Sequence, residues 1–183
     1  FQQFIDTPIL IFTSNMDRRK VDITVIAPTG PGSKTNEKIE GINVRRFFYF
    51  FPTKLQLLTT GEGVLYTSRQ KKLLGKLQVI TFILAEFFST IKVLTEENFD
   101  IIHANWILPQ GFVAILAKFI FGKPVIVTVH GTDIFALNRL NFLKFIILKY
   151  CDVCTTNSSA TFESAYRINK RANIKIVPMG TDI

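Results

Sequence analysis

The chain has 183 residues and is 48% hydrophobic, enough to bury a sizeable core, and it is read as one domain over residues 1–183. A mean hydropathy of +0.27 raises the question of a membrane span, but Leu73 to Leu94 is broken by Lys76, Glu86 and Lys92, and Gly111 to Phe121 is short, so neither offers about 20 uninterrupted apolar residues. The net charge of +8 gathers at Arg18-Arg19-Lys20, Arg45-Arg46, Arg69 to Lys76 and Arg167 to Lys175; such clusters suit solvated helix faces, anionic lipid or a phosphorylated substrate, whereas no motif for nucleic acid accompanies them.

Ile5, Ile9, Phe12 and Met16 recur at helical spacing after Thr7-Pro8, which predicts an N-terminal helix, although Ile9 to Phe12 also suits a strand. Val21 to Ala27 (VDITVIA) is a predicted strand ended by Pro28-Thr29-Gly30-Pro31-Gly32. A charged loop is expected next; with no third glycine and no following helix there is neither a dinucleotide fingerprint nor a P-loop. Asn43 to Phe50 reads as a strand running into the aromatic stretch Phe47-Phe48-Tyr49-Phe50-Phe51. From Pro52 to Ser68 the pattern is irregular, and its centre, Thr60, Gly61, Glu62 and Gly63, is a candidate acceptor or membrane loop. Packing over the sheet edge is the plain alternative. Arg69 to Glu97 is the longest predicted helix, with Leu73, Leu77, Ile80, Leu84, Phe87, Phe88, Ile91 and Leu94 as its buried face; Val79, Phe82 and Ile83 widen that face, so the helix packs against two neighbours or touches a bilayer.

The second half alternates strand and helix. Strands are predicted at 99–104, 125–129, 152–156 and 174–177, and helices at 109–121, 141–150 and 158–169. Gly122-Lys123-Pro124 ends the first of these helices, because glycine can take the left-handed cap and proline cannot continue. The run Val125 to Val129 suggests a central parallel strand covered on both faces. The fold class implied is α/β, a doubly wound, mainly parallel Rossmann-like sheet. Cys151 and Cys154 are read as ordinary buried thiols in a reducing compartment, since no second cysteine pair completes a zinc site. The Asn157-Ser158-Ser159 sequon has no recognisable secretory signal with it.

Both histidines, His103 and His130, are predicted where a strand stops. In an open parallel sheet that is the edge where ligands bind. Asn105 and Trp106 follow the first. Gly131, Thr132 and Asp133 follow the second, where the glycine permits close approach of backbone to a ligand and the other two can cap a helix or bond a polyol.

The stretch DIIHANWILPQGFVAILAKFIFGKPVIVTVHGTDIFAL resembles the N-terminal domain of the family-4-like retaining glycosyltransferases of GT-B fold. VDITVIAP, GINVRRFFYF, CDVCTTNSSA and IKIVPMGTDI continue the likeness over nearly the whole chain. The resemblance implies an acceptor-side domain that moves a sugar from a nucleotide sugar to an acceptor, lipid-linked or polysaccharide. His130 is implied as the catalytic residue toward the donor, with Gly131, Thr132 and Asp133 shaping that pocket, and His103, Asn105 and Trp106 on the cleft floor. No cofactor or metal is expected, and no D-x-D string is present. The family's first strand with its Gly-rich loop, and its C-terminal donor domain with paired glutamates, are expected to lie outside this sequence, so the chain is read as truncated at both ends and inactive alone. The expected location is cytoplasmic, peripheral on the inner face of the membrane. The rival readings are a sugar-nucleotide epimerase-like enzyme of the same fold and a peripheral membrane binding module without catalysis.

Overall fold

The structure, a computed structural model, describes residues 20–30, 32–58 and 72–178, without the side chains of Lys72 and Leu73. The predicted N-terminal helix and the loop residues Thr60, Gly61, Glu62 and Gly63 lie outside the described residues. The chain forms two compact units that divide after Thr90.

In the first unit the predicted strand appears as β1, Thr24–Pro28, shifted toward the proline turn. The expected charged loop is instead a second strand, β2 (Asn36–Ile39), paired antiparallel with β3 (Ile42–Phe47). Charge hid this hairpin from the sequence reading. Its two-residue turn, Glu40-Gly41, has positive φ at both positions (48° and 82°), the twist that matches a tight hairpin. Arg46 crosses the ladder to donate from Nε and Nη2 to Glu37 Oε1 at 3.0 and 2.8 Å. β1 pairs parallel with β3, giving the order β1-β3-β2.

The longest helix, α1, spans Lys72–Glu96. Phe82 on α1 packs with Phe47, Tyr49 and Leu58, meeting both aromatic rings edge-on at 5.3 Å. Gln78, fully buried, accepts from Leu57 N at 3.0 Å and donates to Leu55 O at 2.6 Å. Those bonds fix the helix rotation, which buries Phe82 of the predicted wide face and leaves part of its central stripe exposed. Leu77, Ile80, Leu84 and Phe88 are 49%, 58%, 50% and 64% exposed, while Gln78, Phe82 and Glu86 are buried. A helix apolar on most sides carries no periodicity strong enough to select one face. Taken whole, Leu74–Glu96 is also long and apolar enough to cross a membrane, with mean hydropathy 1.7, although its interrupting charges argued otherwise in the sequence.

The second unit is a four-stranded parallel sheet in the order β4-β5-β6-β7, made of Ile102–Ala104, Val125–Val129, Val153–Thr156 and Ile174–Ile176. Helices α2 (Phe112–Phe121), α3 (Gly131–Phe135), α4 (Asn141–Tyr150) and α5 (Ser159–Ile168) connect or follow these strands. The α/β class with a parallel sheet is therefore as read from sequence. Val125, Val127 and Val129 are fully buried, but Ile126 and Thr128 on the other face are only part-buried. Among the described residues the cover expected on both faces is thus complete on one and partial on the other.

Three local devices aim the sheet's C-terminal edge. Asp152 accepts from Val125 N at 2.7 Å and pairs with Lys118 of α2 at 2.6 Å, pinning the start of β5. Gly122 takes φ 67° and closes α2 as expected. At Gly111 an added Cβ would stand 3.1 Å from Ile147 and 3.3 Å from the Trp106 carbonyl, so the start of α2 presses tightly against its neighbours there. The regular helix begins at Phe112, three residues later than predicted, because Ile107–Gly111 forms a wide turn in which Leu108 is extended.

Candidate functional site

Parallel register sets Ala104 beside Val127, so the segments leaving β4 and β5 emerge on the same edge. There His130 Nε2 lies 2.9 Å from Asn105 Oδ1. With the amide oxygen facing it, the imidazole donates from Nε2 and keeps Nδ1 as an acceptor. Burial holds the His130 pKa below the ordinary 6.5, outweighing the opposing pull of Asp133, so the ring is neutral at pH 7.

His103 lies inside β4, near the end of the predicted strand 99–104, and not beyond it. Its Nε2 is 2.7 Å from Thr128 Oγ1, which is 2.7 Å from Thr155 Oγ1, forming a polar ladder across β4, β5 and β6. Burial, helped by the nearby His130, lowers its pKa as well.

Asp133 is buried, and its carboxylate is occupied: Oδ2 accepts from Ile107 N at 2.6 Å and Oδ1 from His130 N at 2.8 Å. One side chain thereby ties the loop after β4 to the loop after β5. Desolvation raises its pKa against those hydrogen bonds. Thr132 is exposed and Trp106 is 37% exposed, so both are open to a ligand. At Gly131 an added Cβ would meet only the Phe135 ring, at 3.3 Å.

The geometry adds residues the sequence reading passed over. Thr128 is one. Lys144 is another: a fully buried lysine whose Nζ donates to Ile134 O at 2.9 Å and to Ala136 O. Its signal was available, since Lys144 falls on the same helical stripe as buried Ile147 and Leu148. Cys151 and Cys154 are free, and burial raises their thiols to about 11 and about 12, so both are inert as nucleophiles. Among the described residues no group of three or more His, Cys, Asp or Glu is placed to hold a metal. In the first unit, Phe48, Tyr49, Phe50, Phe51, Thr53 and Thr81 line an open groove of about 650 Å³.

A parallel α/β sheet with polar side chains gathered at its C-terminal edge is the architecture of a Rossmann-like, sugar- or nucleotide-handling domain. Residues 9–183 match Glycosyltransferase Family 4, and the chain belongs to that family. It is 32% identical over 84 residues to the N-acetyl-alpha-D-glucosaminyl L-malate synthase of Bacillus anthracis, a match covering 43% of this chain and 22% of that protein. The chain thus spans about a fifth of the length of that curated relative. A solved sucrose-phosphate synthase from Thermosynechococcus elongatus superposes with a TM-score of 0.63 at 17% identity, over 98% of this chain and 86% of that one. That likeness supports the GT-B half-fold.

Proposed function

We propose that the chain is the acceptor-side domain of a retaining glycosyltransferase that transfers a sugar from a nucleotide sugar to an acceptor. The observation that carries the reading is the neutral His130, held to Asn105 at the C-terminal edge of parallel strands in a member of this family. A neutral imidazole at this edge, which can accept or reorient to donate, can contact a sugar hydroxyl or stabilise charge developing at a departing phosphate. Trp106 and Thr132, both open to solvent, supply a stacking face and a hydroxyl beside it. The single domain over 1–183, the absence of a metal requirement and a cytoplasmic, membrane-peripheral site of action belong to the same proposal.

An amphiphilic acceptor, as at a membrane face, is favoured by two observations. The aromatic groove is apolar, and α1 exposes Leu77, Ile80, Leu84 and Phe88. The test uses the full-length protein with a panel of nucleotide sugars, with and without lipid and saccharide acceptors, in EDTA. The expected result is transfer with the anomeric configuration of the donor kept, read by NMR of the product. Epimerised nucleotide sugar appearing without an acceptor would replace this reading with the epimerase one. Vesicle binding with no turnover of any donor would replace it with the membrane module.

A further inference from the structure

A five-residue helix such as α3 (Gly131–Phe135) cannot stabilise itself, because nucleating one turn costs more than its few hydrogen bonds return. Yet this turn carries His130 at its entry, so something outside it must set its position. Two buried ionic groups do so from opposite ends. At the entry, the Asp133 carboxylate takes the His130 amide at 2.8 Å and the Ile107 amide at 2.6 Å. At the exit, the chain turns away from the helix at Ala136, where ψ reaches 170°. There the Lys144 ammonium, from α4, takes the carbonyl of Ile134 at 2.9 Å and that of Ala136.

We propose that Lys144 is a positioning residue for His130: by holding the last carbonyls of α3 it fixes the turn whose first residue presents the imidazole to Asn105. A lysine fully buried at 0% exposure is disfavoured unless its protons are satisfied, and an apolar residue would fill the same space at lower desolvation cost. Its retention on the buried stripe of α4 is explained by the bonds it makes. Deprotonation would remove the grip, because a neutral amine donates weakly to carbonyls, and burial moves Lys144 in that direction while Asp133 opposes it. Asp133 favours the Lys144 charge through space while each bonds backbone, which leaves neither free for substrate.

The structural half of this inference stands alone; only its effect on turnover rests on the proposed transferase reading. The experiment compares full-length wild type, Lys144→Met and Lys144→Arg by histidine-selective NMR, with the His130 signal assigned by a His130→Asn variant. Lys144→Met is expected to shift the His130 ring signals and move its titration midpoint up toward the ordinary 6.5. At a pH where both rings are neutral, the His103 signal, held in the Thr128 ladder, stays in place, and Lys144→Arg restores most of the His130 shift. Where wild type turns over a nucleotide sugar, Lys144→Met lowers kcat by roughly tenfold or more, as expected for a small misplacement of a reacting group. Should the methionine variant not fold, Lys144→Gln is read by the same two signals. His130 signals like wild type, or His103 and His130 moving together, overturn the proposal. Absence of turnover by the wild type overturns the transferase reading and leaves the NMR result to decide Lys144.

Discussion

Strand β5 and helix α1 are both apolar runs, yet the sequence placed one and oriented the other only in part. β5 has neighbours on both edges, β4 and β6, so alternation alone assigns Val125, Val127 and Val129 to one face and leaves only the choice of side. α1 offers apolar residues around most of its circumference, and counting them selects the stripe through Leu77, Ile80, Leu84 and Phe88, which the described structure leaves exposed. The rotation is decided by Gln78, whose amide bonds both Leu55 O and Leu57 N. One satisfied buried amide outweighs several leucines here, because leaving those backbone groups unpaired costs about 1–3 kcal/mol each.

The sharpest way to break the comparison is at the sheet edge. Asp133→Ala should destabilise by about 2–5 kcal/mol in denaturant unfolding, since it orphans the buried amides of Ile107 and His130 together. Loss below about 1 kcal/mol would mean that the two loops hold each other without it. Next, Ile147→Ala inside the parallel-sheet core should cost about 2–5 kcal/mol, whereas Leu84→Ser on the exposed stripe should stay within about 0.5 kcal/mol. Equal losses in the two variants would show that the α1 stripe is covered in the folded protein.

A smaller effect follows from pH. Both histidines have folded pKa values below 6.5, so between the folded midpoint and 6.5 the unfolded chain binds more protons than the folded one. Stability contributed by the neutral rings is therefore present above pH 6.5 and is lost as pH falls through that window. Asp133, with its raised value, has the opposite sign at lower pH. Unfolding midpoints that improve on acidification from pH 7 to 6 would contradict the lowered pKa of the two rings.

Much of the molecule was legible in its residues. Gly122-Lys123-Pro124 marked the end of α2, α4 fell where periodicity put it, and the valine run became the central strand. β2 was missed because Glu37 and Lys38 look like a solvated loop until Glu37 is seen to pair across the ladder with Arg46 of the predicted strand beside it. At the site, the strand-end rule put Asn105 and His130 at one edge of the sheet, but their hydrogen bond appears only in the structure. His103, inside the predicted strand 99–104, joins a sheet-surface ladder with Thr128 and Thr155 that depends on strand order and register. Lys144 escaped notice because a lysine in a helix is ordinarily assigned to solvent; only the carbonyls of Ile134 and Ala136, brought to it by the fold, explain its burial.

The central claim is that His130 acts on the donor, while Asp133 and Lys144 only place it. The direct measurement is turnover by full-length His130→Ala, using the nucleotide sugar accepted by the wild type, beside the unfolding midpoint of each protein. The account predicts a loss of turnover of about 10²–10³-fold with the midpoint within a few degrees of wild type. Wild-type turnover in His130→Ala would contradict it.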